Sequence, residues 1–285
     1  MIISVPAIRS NSGYILYETG YQQYSGEGTG MLSIKSFFDG QALYQVGHNY
    51  FLVGDSTHLI LNHGQPYTIH IEAEQAVESF CVFFAEGFAE DIHHALMLPD
   101  DLETMPDTSL NFFEKTYHQD AFVTPAILKL RAGIKSGNVT TGWLEEQMHV
   151  LMQGLLHVHY NVYRELELLP AVRPATREEL YRRVNFARDY ATALFASPIT
   201  LAELADIACM SPNHLLRTFN QVFGQTPHQY LITKRLEEAQ RLLQQDHYSV
   251  TDICFAVGFE SLGSFSTLFR SRFGMSPTEF RQQKR

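Results

Sequence analysis

Four side chains in the last third of this 285-residue chain, Asn213, Leu216, Arg217 and Asn220, recur at i, i+3, i+4 and i+7 and share one face of a helix. Asn pairs with adenine and Arg with guanine in a DNA major groove, each good bidentate contact giving about 1–3 kcal/mol of base discrimination. An outward Leu216 suits a thymine methyl or a neighbouring subunit. Fifty residues on, the matching exposed set is Gly263, Ser266, Thr267 and Arg270, with Leu262 and Ser264 at the start of the same helix. Thr267 stands where the first set has Arg217, so the second set is expected to grip backbone and read few bases. Arg270 sits late on its helix, where a phosphate contact is as good a reading as a base contact.

Other residue types with chemical potential give weaker patterns. His48, His58, His63 and His70 lie in a β-rich region, but without the His-x-His and carboxylate spacing of a metal-binding β fold. The sole His-x-His, His157-Val158-His159, falls in a helix, where i and i+2 point about 200° apart. These histidines read as hydrogen-bonded structural or pocket residues. Cys81, Cys209 and Cys254 show neither metal spacing nor an even-numbered framework, and read as reduced structural cysteines, the latter two as small buried side chains. We expect no catalytic residues, no cofactor and no enzymatic activity.

Two helix pairs must position the polar faces. Thr200 three residues before Glu203 fits a capping box opening a short helix through Leu201, Leu204, Ala205 and Ala208. Ser211-Pro212 then supplies an N-cap with Pro at the first helical position, and Gly224 a stop. The second helix buries Leu215, Phe219, Val222 and Phe223 behind its polar face. Residues 249–274 repeat the unit of 199–224: Ser211, Leu215, Phe219, Phe223, Gly224, Pro227 and Tyr230 correspond to Ser261, Phe265, Phe269, Phe273, Gly274, Pro277 and Phe280. Upstream the offset slips, from Leu204 to Ile253, which places one extra residue around Val257-Gly258-Phe259. A short helix, a tight turn and a longer amphipathic helix make a helix-turn-helix. A helix over Tyr230–Gln245, about 24 Å long, spaces the two units to reach successive major grooves, roughly 34 Å apart.

The motifs Met210-Ser211-Pro212-x-His214-Leu215-x-Arg217-x-Phe219, Gly224-x-Thr226-Pro227-x-x-Tyr230 and Asp252-Ile253-x-x-x-Val257-Gly258-Phe259 resemble the AraC/XylS family of transcription regulators. So does Phe265-Ser266-x-x-Phe269-Arg270-x-x-Phe273-Gly274-x-Ser276-Pro277-x-x-Phe280-Arg281. The resemblance implies double-stranded DNA as partner, promoter activation with RNA polymerase, a small-molecule effector, a homodimer, and a cupin-like sensor domain at the N-terminal end. Two alternatives stay open: a ligandless sensor domain answering to a protein partner, and a metal-binding cupin enzyme fused to a DNA-binding domain.

Charge follows the same division. Residues through Pro170 carry 7 basic and 20 acidic side chains, a net of −13, whereas those from Ala171 carry 14 and 11, a net of +3. The chain shows no long apolar run and no charged-then-apolar leader, so a cytoplasmic location without membrane partners is expected. Short β-type runs are expected at Ile2–Val5, Gly13–Glu18, Leu32–Phe38, Leu43–Val46, Tyr50–Val53, His58–Leu61, Tyr67–Glu72 and Val77–Phe84, as in a barrel or jelly roll. Within it, Tyr44, His48, Tyr50, His70 and Phe80 are candidate effector contacts. Helices are expected over Glu86–Met97, from the Thr124-Pro125 cap to Ile134, and over Gly142–Leu169. The last carries Leu144, Met148, Leu151, Leu155, Val158 and Val162 at 4-3-4-3-4 spacing, a stripe that either covers the β fold or forms a dimer seam. The basic side of a helix over Arg177–Phe195, with Arg182, Arg183 and Arg188, reads by default as a solvated helix face, with phosphate contact as the alternative.

The expected architecture is therefore α+β: a cupin-like β-barrel or jelly-roll sensor domain (1–120), a helical dimerisation element (121–169), a linker (170–176), and an all-α DNA-binding domain with two helix-turn-helix units (177–285).

Overall fold

Strand pairing in the N-terminal half centres on one long strand. The computed structural model describes residues 3–96, 110–137, 139–167, 169, 173–245 and 248–283, and it divides into two units, Met1–Arg182 and Arg183–Arg285. The first unit holds an eight-stranded antiparallel sheet, rolled into a near-barrel: β1 (Ile3–Ser10), β2 (Gly13–Thr29), β3 (Ser33–Phe38), β4 (Gln41–Val46), β5 (Asn49–Gly54), β6 (Thr57–Leu61), β7 (Pro66–Phe84) and β8 (Thr116–His118). Its strand order is β1-β2-β7-β3-β6-β8, with β4 joining β5 to β7. The 19-residue β7 pairs with β2 along its length, with β3 through Glu78–Phe83 and with β4 through Thr68–His70.

Four strands depart from the sequence expectation, the first being β1, which continues five residues past Val5 to Ser10. Tyr67–Glu72 and Val77–Phe84 are one strand, not two, and β2 continues eleven residues past Glu18 through the polar run ending at Thr29. These polar segments lack a hydrophobic alternation, yet each satisfies the other's backbone groups, with register shifts around Tyr21 absorbing the bend. The short β8, paired with β6, also carries no sequence signal. Ile2 of the first expected strand lies outside the described residues.

Three helices complete the unit: α1 (Phe88–Leu96), α2 (Val123–Ser136) and α3 (Thr141–Leu166). Met97, at the end of the first expected helix, lies outside the described residues. The start of α2 is held not by a Thr124 cap but by Asp120, whose carboxylate accepts from the backbone N–H groups of Phe122 and Val123 at 2.6 and 2.7 Å. Thr140 caps α3. Alternation along β7 turns Glu78, Phe80, Val82 and Phe84 toward this helical layer. Glu78 accepts from Arg131 and from Lys135 of α2, the latter at 2.6 Å. Burial acts to raise the Glu78 pKa, but those two cations outweigh it and hold the carboxyl below its ordinary value.

The apolar stripe on α3 is committed to this core. Leu144, Met148, Leu151, Leu155 and Val162 are at most 1% exposed within the single chain, and Val158 is half-buried. The dimer-seam reading is thereby corrected: a 4-3-4-3-4 stripe is equally the stripe by which a helix packs on its neighbours. The division between units also differs from the expected boundary. Residues 121–169 belong to the same unit as the sheet, and α4 (Pro174–Ala193) begins inside the expected linker and crosses the division at Arg182/Arg183. Linker residues 170–172 lie outside the described residues. Tyr181, at the end of the first unit, bonds Lys115 and Glu165.

The four sheet histidines are dispersed. His48 and His63 are exposed at turns, His70 is exposed and bonded to Ser25 at 2.8 Å, and His58 is buried against Tyr117. His159 of α3 is also buried, among Phe112, Phe113 and Tyr163. Among the described residues, no group of three His, Cys, Asp or Glu side chains is placed to hold a metal ion.

Burial pushes the pKa of His58 down to about 4, only partly opposed by Asp120, and that of His159 down to about 4, with His93 adding to the effect. The unfolded chain protonates these histidines near pH 6.5, and the folded unit does so only near 4. Their stabilising contribution is therefore full above pH 6.5 and is lost as pH falls toward 4. Chemical unfolding followed across that window should show stability of the first unit falling by about 1.4 kcal/mol per pH unit for each histidine. His159→Phe should remove one such increment from the slope; an unchanged slope would assign the dependence to other groups.

Candidate nucleic-acid interface

The second unit contains the end of α4 followed by α5 (Leu201–Ile207), α6 (Pro212–Phe223), α7 (Pro227–Leu242), α8 (Val250–Ala256), α9 (Leu262–Phe273) and α10 (Pro277–Gln282). Each helix pair has its own core. Behind α6 pack Leu204, Ala205, Ala208, Leu215, Phe219 and Tyr230, together with Val184, Ala187 and Ala191 of α4. Behind α9 pack Ile253, Cys254, Val257, Phe259, Phe265 and Phe269, together with Leu236, Ala239 and Leu243. One helix, α7, thus lends its first turn to one core and its last turns to the other. Arg235, midway along it, donates to the carbonyls of Phe195 and Ser197 at 2.7 and 2.8 Å, satisfying acceptors just beyond the end of α4.

Local chemistry explains the helix limits. Ser211 caps α6 with Pro212 at its first position, and Gly224, at φ 68°, ends it. Ser261 and Gly274 do the same for α9. Thr226/Gln229, Ser249/Asp252 and Ser276/Glu279 form reciprocal capping boxes. At Thr200 the box is only half formed. Thr200 accepts from the Glu203 N–H, while the Glu203 carboxylate takes the Tyr190 hydroxyl at 2.6 Å.

The expected reading faces are outward. Asn213, Leu216, Arg217 and Asn220 are all exposed on α6, and Leu262, Gly263, Ser264, Thr267 and Arg270 on α9, with Ser266 half-buried. The two faces differ in their free polar groups. Thr267 spends its hydroxyl proton on the Gly263 carbonyl at 2.9 Å, and the Ser261 hydroxyl donates to that of Ser264 at 3.0 Å. Arg217 has no such bond to its own helix among the described residues. Arg272, exposed in the last turn of α9, is a further cation that the repeat alignment did not single out. The repeat gave no signal for it, because the equivalent residue of α6 is the apolar Val222.

Three expectations need correction. Arg188 is not available for phosphate: it is 6% exposed and pairs with the fully buried Asp189 at 2.6 Å. Arg183 donates to the Cys209 carbonyl at 3.1 Å and Arg182 to Glu179 at 3.0 Å, so both have protein partners. Second, the extra residue of the second unit is Glu260. The turn bonds Met210 N–H to Ala205 O and Phe259 N–H to Cys254 O are equivalent, so Cys209 matches Gly258 and the insertion follows Phe259. Third, Cys209 is exposed and not buried. It occupies the turn position that requires positive φ, 48° against 88° for Gly258.

The candidate effector residues do not form one pocket. Tyr44 is buried inside the sheet and Phe80 turns to the helical layer, whereas His70, opposite Leu43, is on the outer face and His48 at a turn. Tyr50, opposite Gln45, shares the face of Leu43. Strand register, which the sequence alone did not supply, decides this.

Two amphipathic second helices, each on its own core with a polar face exposed, define a double helix-turn-helix protein. A family model described as a helix-turn-helix domain matches residues 204–283. The transcriptional activator RhaS of Escherichia fergusonii is 37% identical over 121 residues, 41% of this chain and 44% of that protein. The bifunctional transcriptional activator and DNA repair enzyme AdaA of Bacillus subtilis is 34% identical over 102 residues, 36% of this chain and 48% of that one. The match thus spans about half the length of these curated relatives. A solved regulator of Chromobacterium violaceum, described by its AraC-type DNA-binding domain, is 30% identical over 39% of this chain and 96% of that one, with a TM-score of 0.34. The similarity to these transcription regulators lies in the C-terminal unit, whose residues 204–283 match the helix-turn-helix domain.

The turn geometry generates opposite outcomes at equivalent positions. Cys209→Gly should stabilise the second unit by about 0.5–1 kcal/mol, because glycine adopts positive φ without steric cost. Gly258→Ala should destabilise it by at least about 2 kcal/mol, since a Cβ there would lie 2.5 Å from the Ala196 carbonyl oxygen at a positive φ. Thermal unfolding of both variants checks the pair.

Proposed function

We propose that the chain is a sequence-specific, DNA-binding transcription regulator that reads two successive major grooves with α6 and α9. The observation that carries this is the exposed Asn213, Leu216, Arg217 and Asn220 face on a helix whose opposite side is locked into a core. In this reading α6 supplies most of the base discrimination. The α9 face, with its short side chains and Arg270, mainly holds the phosphate backbone. Activation is the direction favoured by relatives named as activators, with RNA polymerase as the partner at the promoter. The acidic first unit serves as a sensor for a small-molecule effector, and the protein works non-enzymatically in the cytoplasm. Pairing of two copies, which the modest positive charge of the second unit favours, uses a surface other than the buried α3 stripe. Among the described residues, no helix is long and apolar enough to cross a membrane.

Effector control requires different affinities for two states of the regulator. The proposed domain organisation follows: sensor sheet and helices in the first unit, DNA reading in the second.

Selection of bound sequences from random duplex DNA at two salt concentrations tests the reading. Two enriched blocks about ten base pairs apart are expected. Arg217→Ala should relax preference at one position of one block, at a cost of about 1–3 kcal/mol. Thr267→Ala should leave specificity nearly unchanged, and Arg270→Ala should weaken binding across sequences and lower the salt slope by about one. Greater loss of specificity with Thr267→Ala than with Arg217→Ala would reverse the assigned roles.

A further inference from the structure

Lys35 is a lysine where a sheet interior should have none. It is 1% exposed in the middle of β3, opposite Cys81 of β7, and among the described residues no carboxylate lies within ion-pair distance of it. Its ammonium instead sits 3.8 Å from the centre of the Phe83 ring and 5.2 Å from that of Tyr67. Burial lowers its pKa. Fully buried lysines are rare unless paired, because removing an ammonium from water is costly, and ring faces replace only part of the lost hydration. The surroundings are aromatic: Tyr44 lies 5.5 Å from Tyr67, and Tyr14 stacks on Phe83 at 4.6 Å.

Tyr67 also has a second side. It lines an open, partly polar surface hollow between β2, β4 and β7, next to Gly28, Gln45 and Thr68. The ring lies against the backbone of β2 because position 28 is glycine; a Cβ there would lie 2.8 Å from the tyrosine oxygen. Tyr67 thus lies beside both this surface hollow and the buried, unpaired Lys35 ammonium.

We propose that this interior is a binding site for a small organic carboxylate with an apolar body, which enters beside Tyr67, turns that ring aside and pairs its carboxylate with Lys35. The carboxylate supplies the counter-ion that the sheet lacks, and the apolar body takes the place of the displaced ring among Tyr44, Phe83 and Cys81. This deepens the effector reading above by naming a ligand class. It rests on the first unit alone, so it is tested without DNA, and its failure leaves the DNA-reading assignment intact.

The experiment is titration calorimetry with thermal unfolding on the full chain. The probes are phenylacetate and octanoate, each against its primary amide, which keeps the shape and removes the charge. At least one acid should bind the wild type tenfold or more tightly than its amide and raise the unfolding temperature. Lys35→Met, which keeps the length of the side chain, should weaken that acid at least tenfold and leave the amide unchanged. The acid-to-amide ratio in the wild type stands even where the variant folds poorly. Binding of neither acid, equal binding of acid and amide, or undiminished acid binding by a folded Lys35→Met protein would overturn the proposal.

Discussion

Burial of an apolar pair behind each reading helix fixes the orientation on which the DNA-facing surface depends. In α6 Leu215 and Phe219, and in α9 Phe265 and Phe269, are wholly excluded from solvent. A helix anchored at i and i+4 has no rotational freedom left, so the residues on its far side are presented to solvent by geometry alone. The aromatic contacts repeat with the anchors: Phe219 meets Phe223 and Tyr230, and Phe269 meets Phe273 and Phe280. Fully burying such a side chain contributes about 1.5–3 kcal/mol, several times what any one contact on the polar face contributes to the fold. The reading surface is thus free to vary while the frame behind it is not.

The two frames are alike, and their differences are local. Each turn needs one residue at positive φ, which Gly258 meets at no steric cost and Cys209 meets under strain. Gly258 has the added constraint of the Ala196 carbonyl beside it, which explains why the side chain is missing there and tolerated at Cys209. Glu260 lengthens the second turn by a residue without moving the cap, because Ser261 still receives the N–H of Ser264. The polar faces diverge more. A guanidinium at position 217 projects donors beyond the helix, whereas the hydroxyl of Thr267 turns back on its own backbone.

In the first unit the organising element is β7, whose backbone serves three neighbours in turn. A strand of this length bends, and its bend decides which side chains meet. Tyr44 and His70 lie on β4 and β7, which pair directly, yet they point to opposite faces because Tyr44 is opposite Ile69 and His70 is opposite Leu43. The same alternation sends Glu78 to the cations of α2 and Cys81 to Lys35. A one-residue error in register exchanges the whole set.

The sequence by itself determined the second unit nearly completely: both helix pairs, their caps, the Gly stops, the buried anchors and the outward polar faces. All of these are set by contacts within a few residues, and the internal repeat states them twice. Tertiary structure alone decided the rest. The α3 stripe could not be assigned from spacing, because core packing and a coiled-coil seam present the same periodicity; its burial within one chain resolves it. Arg188 looked like a surface cation until Asp189 and the packing of α4 enclosed it. The polar stretches of β2 and β7 became strands because each found a partner some fifty residues away, and pairing at that range leaves no local pattern. Lys35 carried no signal at all in a strand of ordinary composition. Only the closing of the sheet placed its charge among aromatic rings and away from every described carboxylate.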